Sequence, residues 1–271
     1  NFGMNVACMH GTKFEEVVQL IYTIKHQKKL YEFGSIRHGD EEFCMVSASP
    51  DGICEDGTML EIKVPIKRKI TGIPPIYYWI QTQQQMQVCK LDKVDFVECK
   101  IEEYLNKEQY NEDSYENDYT DEKGCIKNVI VEYHKLNTNN DVGWLYPDKL
   151  LNNDEIEVWV NDIKDEMKNS NDRVYSRLIY YKVLEYSECT IWKDNEWWEW
   201  NKHKYVDFWN KVLHYRKNGY EELLIKKVKR TQKAKKSECL IISDTESFGS
   251  NDKKEKKKNK SECLIISDTE S

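Results

Sequence analysis

Between Gly57 and Pro65 runs the segment Met59-Leu60-Glu61-Ile62-Lys63-Val64, and its parity limits how the chain can fold around it. Successive side chains of a strand point to opposite faces. Leu60, Ile62 and Val64 therefore face a core, and Glu61 and Lys63 share the other face. Upstream stands Ser49-Pro50-Asp51-Gly52, a turn from which a paired strand brings Asp51 beside Glu61. Two converging carboxylates and the Ile62 backbone carbonyl make a hard-oxygen site suited to Mg²⁺ or Mn²⁺. Lys63 beside them is placed to hold or help deprotonate a water and to oppose charge growing on a phosphoryl group. Asp followed by Glu-x-Lys also arises by chance on solvated strand faces, so the pattern alone leaves both readings open.

The surrounding sequence predicts compact mixed α/β structure over residues 1–104. Thr12 and Glu15 fit a capping box, and Phe14, Val17, Val18, Ile21 and Ile24 follow with helical spacing. Strand-like runs cover Tyr31–Arg37, Phe43–Ala48 and Met59–Val64, with Pro50-Asp51-Gly52 and Glu55-Asp56-Gly57 as turns. A helix is expected after Pro74-Pro75 to about Cys89, then a half-buried strand over Lys93–Ile101. Residues 105–124 are acidic and polar and read as a surface insertion or long loop. Strands Asn128–Leu136 and Val174–Tyr186 flank a helix from about Pro147 to Met167. A Trp-rich helix covers about Asn195–Arg216, with Trp198, Tyr205, Phe208, Trp209 and Val212 on its apolar side. That spacing favours core packing over base stacking.

Composition narrows the classes. The 271 residues are 39% hydrophobic and 33% charged, a globular but polar chain with part of it outside a packed body. No run approaches the roughly 18 apolar residues of a membrane span, and no signal-like segment opens the sequence. The nine cysteines contain no C-x-x-C pair, which argues for reduced thiols in an intracellular compartment over a zinc ribbon or disulfide framework. A net charge of −7 hides separate acidic (102–122, 152–166) and basic (Lys63–Lys69, Lys226–Lys236) stretches, and local fields govern binding. The histidines form no metal-binding pattern. His10 stands beside Gly11.

Four motifs in order, within about 80 residues, carry a resemblance: Gly11-Thr12-Lys13-Phe14-Glu15, Ser49-Pro50-Asp51-Gly52, Leu60-Glu61-Ile62-Lys63-Val64-Pro65, and Pro75 followed by Tyr78-Trp79-Ile80-Gln81-Thr82-Gln83 and Met86. In these the chain resembles the lambda-exonuclease or YqaJ-type viral recombinase family of the PD-(D/E)XK nuclease superfamily. The likeness covers residues 1–104 and extends more loosely to about 216, where the Trp-rich helix resembles large-virus members. It implies a restriction-endonuclease-like α/β core, with a mixed sheet flanked by helices and the active-site strand near its middle. It also implies a metal-dependent DNA nuclease, an exonuclease acting on duplex ends, that uses Mg²⁺ or Mn²⁺. Asp51, Glu61 and the Ile62 carbonyl would ligate the metal, and Glu15 a second metal or its water. Lys63 would be the catalytic lysine, and Gln83 would help place the nucleophilic water. Tyr78 and Gln81 would support the site or track DNA. Glu15 is equally the capping partner of Thr12, and Gln83 sits in a polar run of glutamines. Lys67, Arg68 and Lys69, directly after the active-site strand, are expected on phosphates. Members that digest from a 5′ end hold the terminal phosphate with a basic residue upstream of the G-T-x-x-E helix. Asn1–His10 contains no Arg or Lys, so either such a segment lies upstream or end recognition differs. Family members can form rings around DNA, which makes a homo-oligomer a further expectation.

The organisation expected is a nuclease domain over 1–225 and a disordered Lys-rich tail over 226–271. The tail holds an identical 12-residue repeat at 236–247 and 260–271. Leu240-Ile241-Ile242 and Leu264-Ile265-Ile266, each followed by Ser-Asp-Thr-Glu, resemble SUMO-interacting motifs, which add a strand to a sheet edge. Two copies would act bivalently. A slipped duplication without a partner reads equally from the same residues. The rival functions are an endonuclease of the same fold and a non-catalytic DNA-binding or adaptor protein organised by its tail.

Overall fold

The computed structural model describes residues 6–113, 119–121, 123–136, 141–221 and 223–224. The element order is α1 (Val6–His26), β1 (Leu30–Tyr31), β2 (Ile36–Arg37), β3 (Ser47–Ala48), β4 (Gly52–Cys54), β5 (Met59–Lys63), α2 (Ile76–Cys89), β6 (Lys93–Glu103), α3 (Lys107–Glu112), β7 (Lys127–Lys135), β8 (Val142–Leu145), α4 (Asn153–Lys168), β9 (Arg173–Trp192) and α5 (Asn195–Asn218). Seven strands form a mixed sheet in the order β1-β4-β5-β6-β9-β7-β8, and β2 pairs with β3 in a separate two-stranded sheet. Within the large sheet β5 and β6 run parallel and the other pairs antiparallel. The strand bearing Glu61 and Lys63 is third of seven, flanked by β4 and β6, as expected.

Helices cover both faces. Phe14, Val17, Val18, Ile21 and Tyr22 of α1 are buried against Leu60, Ile62, Val64, Val97, Cys99, Ile179 and Tyr181. Each such side chain contributes about 1.5–3 kcal/mol of apolar burial. On the opposite face Met86 of α2 packs with Met59, Val94, Phe96 and Ile191. Farther along that face Ile156, Val160 and Ile163 of α4 and Tyr110 of α3 pack with Val129 and Val131. The alternation predicted for β5 holds: Leu60 and Ile62 join the α1-side core, while Glu61 lies on the side covered by α2 and is only 1% exposed.

Several expectations are corrected. The described part of α1 already begins at Val6, so Thr12 is mid-helix and no capping box forms with Glu15. The Tyr31–Arg37 run divides, because Leu30–Tyr31 pairs with β4 and Ile36–Arg37 with β3. The Phe43–Ala48 run starts as a 3-10 turn over Glu41–Phe43 and becomes strand only at Ser47. α4 starts at Asn153, not Pro147, because Asn152 and Glu155 make the reciprocal capping box there. β8 was not foreseen, and β9 runs on to Trp192 beside β6. The segment expected as an acidic surface loop contains α3 and the buried Tyr110. Its Tyr110 carbonyl accepts 2.5 Å from the ammonium of Lys127, itself fully buried. On α5, Trp198 is buried with Phe43, Val46, Ala48 and Val88, but Phe208 is 67% exposed. The helix packs through its N-terminal turns, so the predicted apolar side does not hold along its length.

The described residues to Asn210 form one compact unit, and those from Lys211 fall outside it. The tail repeats, with Leu240, Ile241, Ile242, Leu264, Ile265 and Ile266, lie outside the described residues. Among the described residues the cysteines are free thiols, and no helix is long and apolar enough to cross a membrane.

Candidate active site

The antiparallel register of β4 on β5 pairs Gly52 with Leu60 and Ile53 with Met59. One further step sets Asp51 opposite Glu61. A 2.6 Å hydrogen bond fixes it there, donated by the Ile62 N–H to Asp51 Oδ2. Gln19 of α1 donates 2.7 Å to the Asp51 carbonyl, pinning the turn's backbone to the helix. Gly52 completes the turn for a steric reason. A Cβ there would lie 2.6 Å from Leu30 Cδ1 and 2.7 Å from Leu30 Cγ, closer than packed carbons approach.

Glu61 is held at both oxygens. Oε1 accepts from the Gln81 amide at 2.7 Å and from the Lys63 ammonium; Oε2 accepts from the Gln85 amide at 2.8 Å. Gln81 and Gln85 are four residues apart on α2 and so share a face. Lys63 donates also to the Ile62 carbonyl at 3.0 Å, and its ammonium lies 5.2 Å from the centre of the Tyr78 ring. On the far side of the site, Glu15 of α1 interacts electrostatically with Lys63 and Glu61.

The electrostatics show a crowded acidic site. Burial, then the like charges of Glu61 and Glu15, push the Asp51 carboxyl up to about 7 against the opposing pull of Lys63 and the Ile62 N–H. Burial likewise raises Glu15, with Glu61 and Glu32 adding to it and Lys63 opposing. Burial works against the Lys63 ammonium, but Glu61 and Asp51 outweigh it, and its pKa is raised.

The same residues test whether a divalent cation fits. The donor set of carboxylates and a backbone carbonyl is hard oxygen, as Mg²⁺ and Mn²⁺ require. Asp51 is buried among like charges from Glu61 and Glu15, a setting that a bound cation would relieve. The Lys63 ammonium already bridges Glu61 Oε1 and the Ile62 carbonyl, two of the expected ligands, as a stand-in cation. The fit is therefore good for Asp51, Glu61 and Ile62. Among the described residues no three His, Cys, Asp or Glu side chains draw together into a metal-binding group. Glu15 thus does not close a three-carboxylate cluster, and water would complete a coordination shell.

Gln83 is the sequence-predicted residue that the fold sends elsewhere. Fully buried, it donates 2.9 Å to the Trp192 carbonyl and accepts 2.7 Å from the Asp194 N–H. Two positions along a helix turn the side chain by about 200°, so Gln83 faces away from Gln81 and Gln85. Of the glutamines in that run, Gln81 and Gln85 meet Glu61. The signal for Gln85 was its four-residue spacing from Gln81. His10 also stays off the site. It packs edge-on against Phe14 at 4.9 Å between ring centres, and burial, then Lys13, lowers its pKa.

A cleft of about 860 Å³ opens beside β5, lined by Gly11, Thr12 and Glu15 of α1, by Ile62 to Arg68, and by Tyr78. Lys67 and Arg68 thus border it, while Lys69 is exposed and outside its lining. Arg68 is not free: it pairs with Glu98 of β6, whose side chain is 2% exposed. Glu98 was missed in the sequence, although a charged residue in phase with Val94 and Phe96 on a buried strand signals a partnered acid.

Comparison with known proteins matches residues 3–92 to the YqaJ-like viral recombinase domain family. The uncharacterized protein R354 of Acanthamoeba polyphaga mimivirus is 31% identical over 259 residues, 83% of this chain. The chain spans 46% of that relative, about half its length. Among solved structures, LHK-Exo in complex with dAMP is similar at 19% identity and a TM-score of 0.42, over 85% of this chain and 76% of its own. A second structure, of the alkaline exonuclease LHK-Exo from Laribacter hongkongensis, is 31% identical with a TM-score of 0.33, over 36% of this chain and 52% of its own.

Proposed function

From a chain that carries a YqaJ-like viral recombinase domain over residues 3–92, we propose a metal-dependent deoxyribonuclease that hydrolyses phosphodiesters of duplex DNA from its ends, in viral recombination, replication or repair. The observation behind this reading is the meeting of Asp51, Glu61 and Lys63 at one end of β5, beside a cleft bordered by Lys67 and Arg68. The end-dependent mode rests on the motif resemblance.

Asp51, Glu61 and the Ile62 carbonyl would hold Mg²⁺ or Mn²⁺, which when bound supplies a water of lowered pKa and positive charge against the scissile phosphate. Lys63, whose ammonium is held by Glu61 and the Ile62 carbonyl, acts as a cation and donor towards non-bridging phosphoryl oxygens, the charge-stabilising role. Gln81 and Gln85 hold the Glu61 carboxylate in one orientation, so little reorganisation is left for the reaction. The basic edge at Lys67 and Arg68 draws in the phosphodiester backbone.

The test is incubation of purified protein with linear and with closed-circular duplex DNA, with Mg²⁺ or Mn²⁺ and with EDTA. Degradation of linear DNA alone, dependent on the cation, is the expected result. Cutting of both substrates makes the protein an endonuclease of the same fold. Binding without cutting by a folded sample makes it a DNA-binding adaptor.

A further inference from the structure

Lys63 and Glu98 are direct cross-strand partners in the parallel β5–β6 ladder. Their side chains share the α2-covered face but do not pair with each other. Lys63 turns to Glu61, and Glu98 takes the guanidinium of Arg68. Both cations lie close to the Tyr78 ring, its centre 5.2 Å from Lys63 Nζ and 5.6 Å from Arg68 Cζ. That ring is seated by Tyr77 at 4.4 Å and Phe96 at 5.6 Å between centres. Both cations thus border one cleft, each tied to a buried carboxylate on a different strand.

A carboxylate 2% exposed is costly to bury unless paired. A guanidinium presents five N–H donors in a rigid plane, and one carboxylate oxygen leaves most of them over. Arg68 keeps 30% of its side chain exposed while lining the cleft. We infer that Glu98 and Tyr78 are positioning residues, holding the Arg68 guanidinium so that its remaining donors meet the non-bridging oxygens of a DNA phosphate adjoining the one beside Lys63. This deepens the nuclease reading and rests on it.

The sign of one substitution separates this role from a mere buried ion pair. Removing the negative charge of Glu98 makes the cleft more positive, so electrostatics alone would tighten DNA binding. Loss of positioning weakens it. The experiment uses the full chain, a fluorescein-labelled linear duplex with Ca²⁺ for binding, and steady-state cleavage with Mg²⁺. Glu98→Gln is expected to raise both Kd and KM about fivefold with kcat changed less than about twofold. Arg68→Lys keeps the charge, lies at a part-exposed position and loses the fork. It is expected to raise KM about tenfold. Glu98→Gln added to Arg68→Lys is expected to have no further effect. Unchanged or tighter binding by Glu98→Gln, or additive effects of the pair, overturns the inference. Should Glu98→Gln not fold, an unaltered KM in Arg68→Lys overturns it alone. Wild type that neither binds nor cuts duplex overturns the nuclease reading and this inference together. Wild type that cuts while both variants keep its KM overturns this inference only.

Discussion

Lys63 donates to Glu61, its neighbour two residues earlier on the same strand face, and to the carbonyl of the residue between them. The ammonium thus rests on two oxygens that a divalent cation would use, and the two cations compete. Lys63→Met should bind Mn²⁺ about three- to tenfold more tightly than wild type, because a fixed positive charge has gone from the site. Cleavage should fall by about a hundredfold or more for want of the same charge at the phosphate. Electron paramagnetic resonance titration of Mn²⁺ beside a cleavage assay checks both. Weaker metal binding by Lys63→Met would show the lysine to be an organiser of the ligands.

Asp51 makes the metal-free protein sensitive to pH. Its carboxyl sits at about 7, above its ordinary 3.8. For an acid raised on folding, the contribution to stability is intact below the unfolded value and is lost as pH rises through the folded one. Asp51→Asn keeps an acceptor for the Ile62 N–H and removes the titration. In EDTA it should be more stable than wild type by about 2 kcal/mol at pH 8 and equal to it at pH 4. Saturating Mg²⁺ should reverse the order at pH 8, since only wild type retains the full site. Urea unfolding with and without the metal reads both signs.

The glutamines of α2 divide by face. Gln81→Ala and Gln85→Ala each remove a donor from Glu61 and should lower kcat about tenfold with a small change in melting temperature. Gln83→Ala leaves the Trp192 carbonyl and Asp194 N–H without their partner. It should cost about 1–3 kcal/mol of stability, with kcat of the folded fraction near wild type. A kcat loss in Gln83→Ala equal to that in Gln81→Ala would contradict the assignment.

Gly52→Ala should destabilise by about 1–3 kcal/mol, because the added methyl meets Leu30. Leu30→Ala opens that space, so the double variant should recover part of the loss. Thermal melts of the two singles and the double decide it, and strict additivity would rule out the contact as the cause.

What the sequence made legible follows from periodicity. The two-residue repeat of Met59–Val64 fixes which side chains flank Glu61, and the apolar spacing of Phe14, Val17, Val18 and Ile21 marks the buried side of α1, although Ile24, expected on that side, is 48% exposed. Asp51 opposite Glu61 needs only a turn and one antiparallel pair. Other features depend on contacts distant in sequence. Gln83 and Gln85 are chemically equivalent neighbours in a polar run. Only the end of β9, 109 residues on, claims the first. Glu98 reads as one charge in a strand until Arg68 arrives from the loop between β5 and α2. The acidic stretch after residue 104 looks solvated because Lys127, which buries itself under it, belongs to another element. The capping-box pattern at Thr12 and Glu15 misleads because the local motif is satisfied in letters, while the helix already runs through it.

The amides of Gln81, Gln83 and Gln85 grip opposite sides of one helix. The first and last hold Glu61 on one flank; the middle one is locked to the junction of β9 and α5 on the other. An axle keyed on both flanks cannot roll. Any rotation of α2 that released the carboxylate would also have to tear a buried amide from its two backbone partners, so the orientation of Glu61 is enforced from a point outside the cleft.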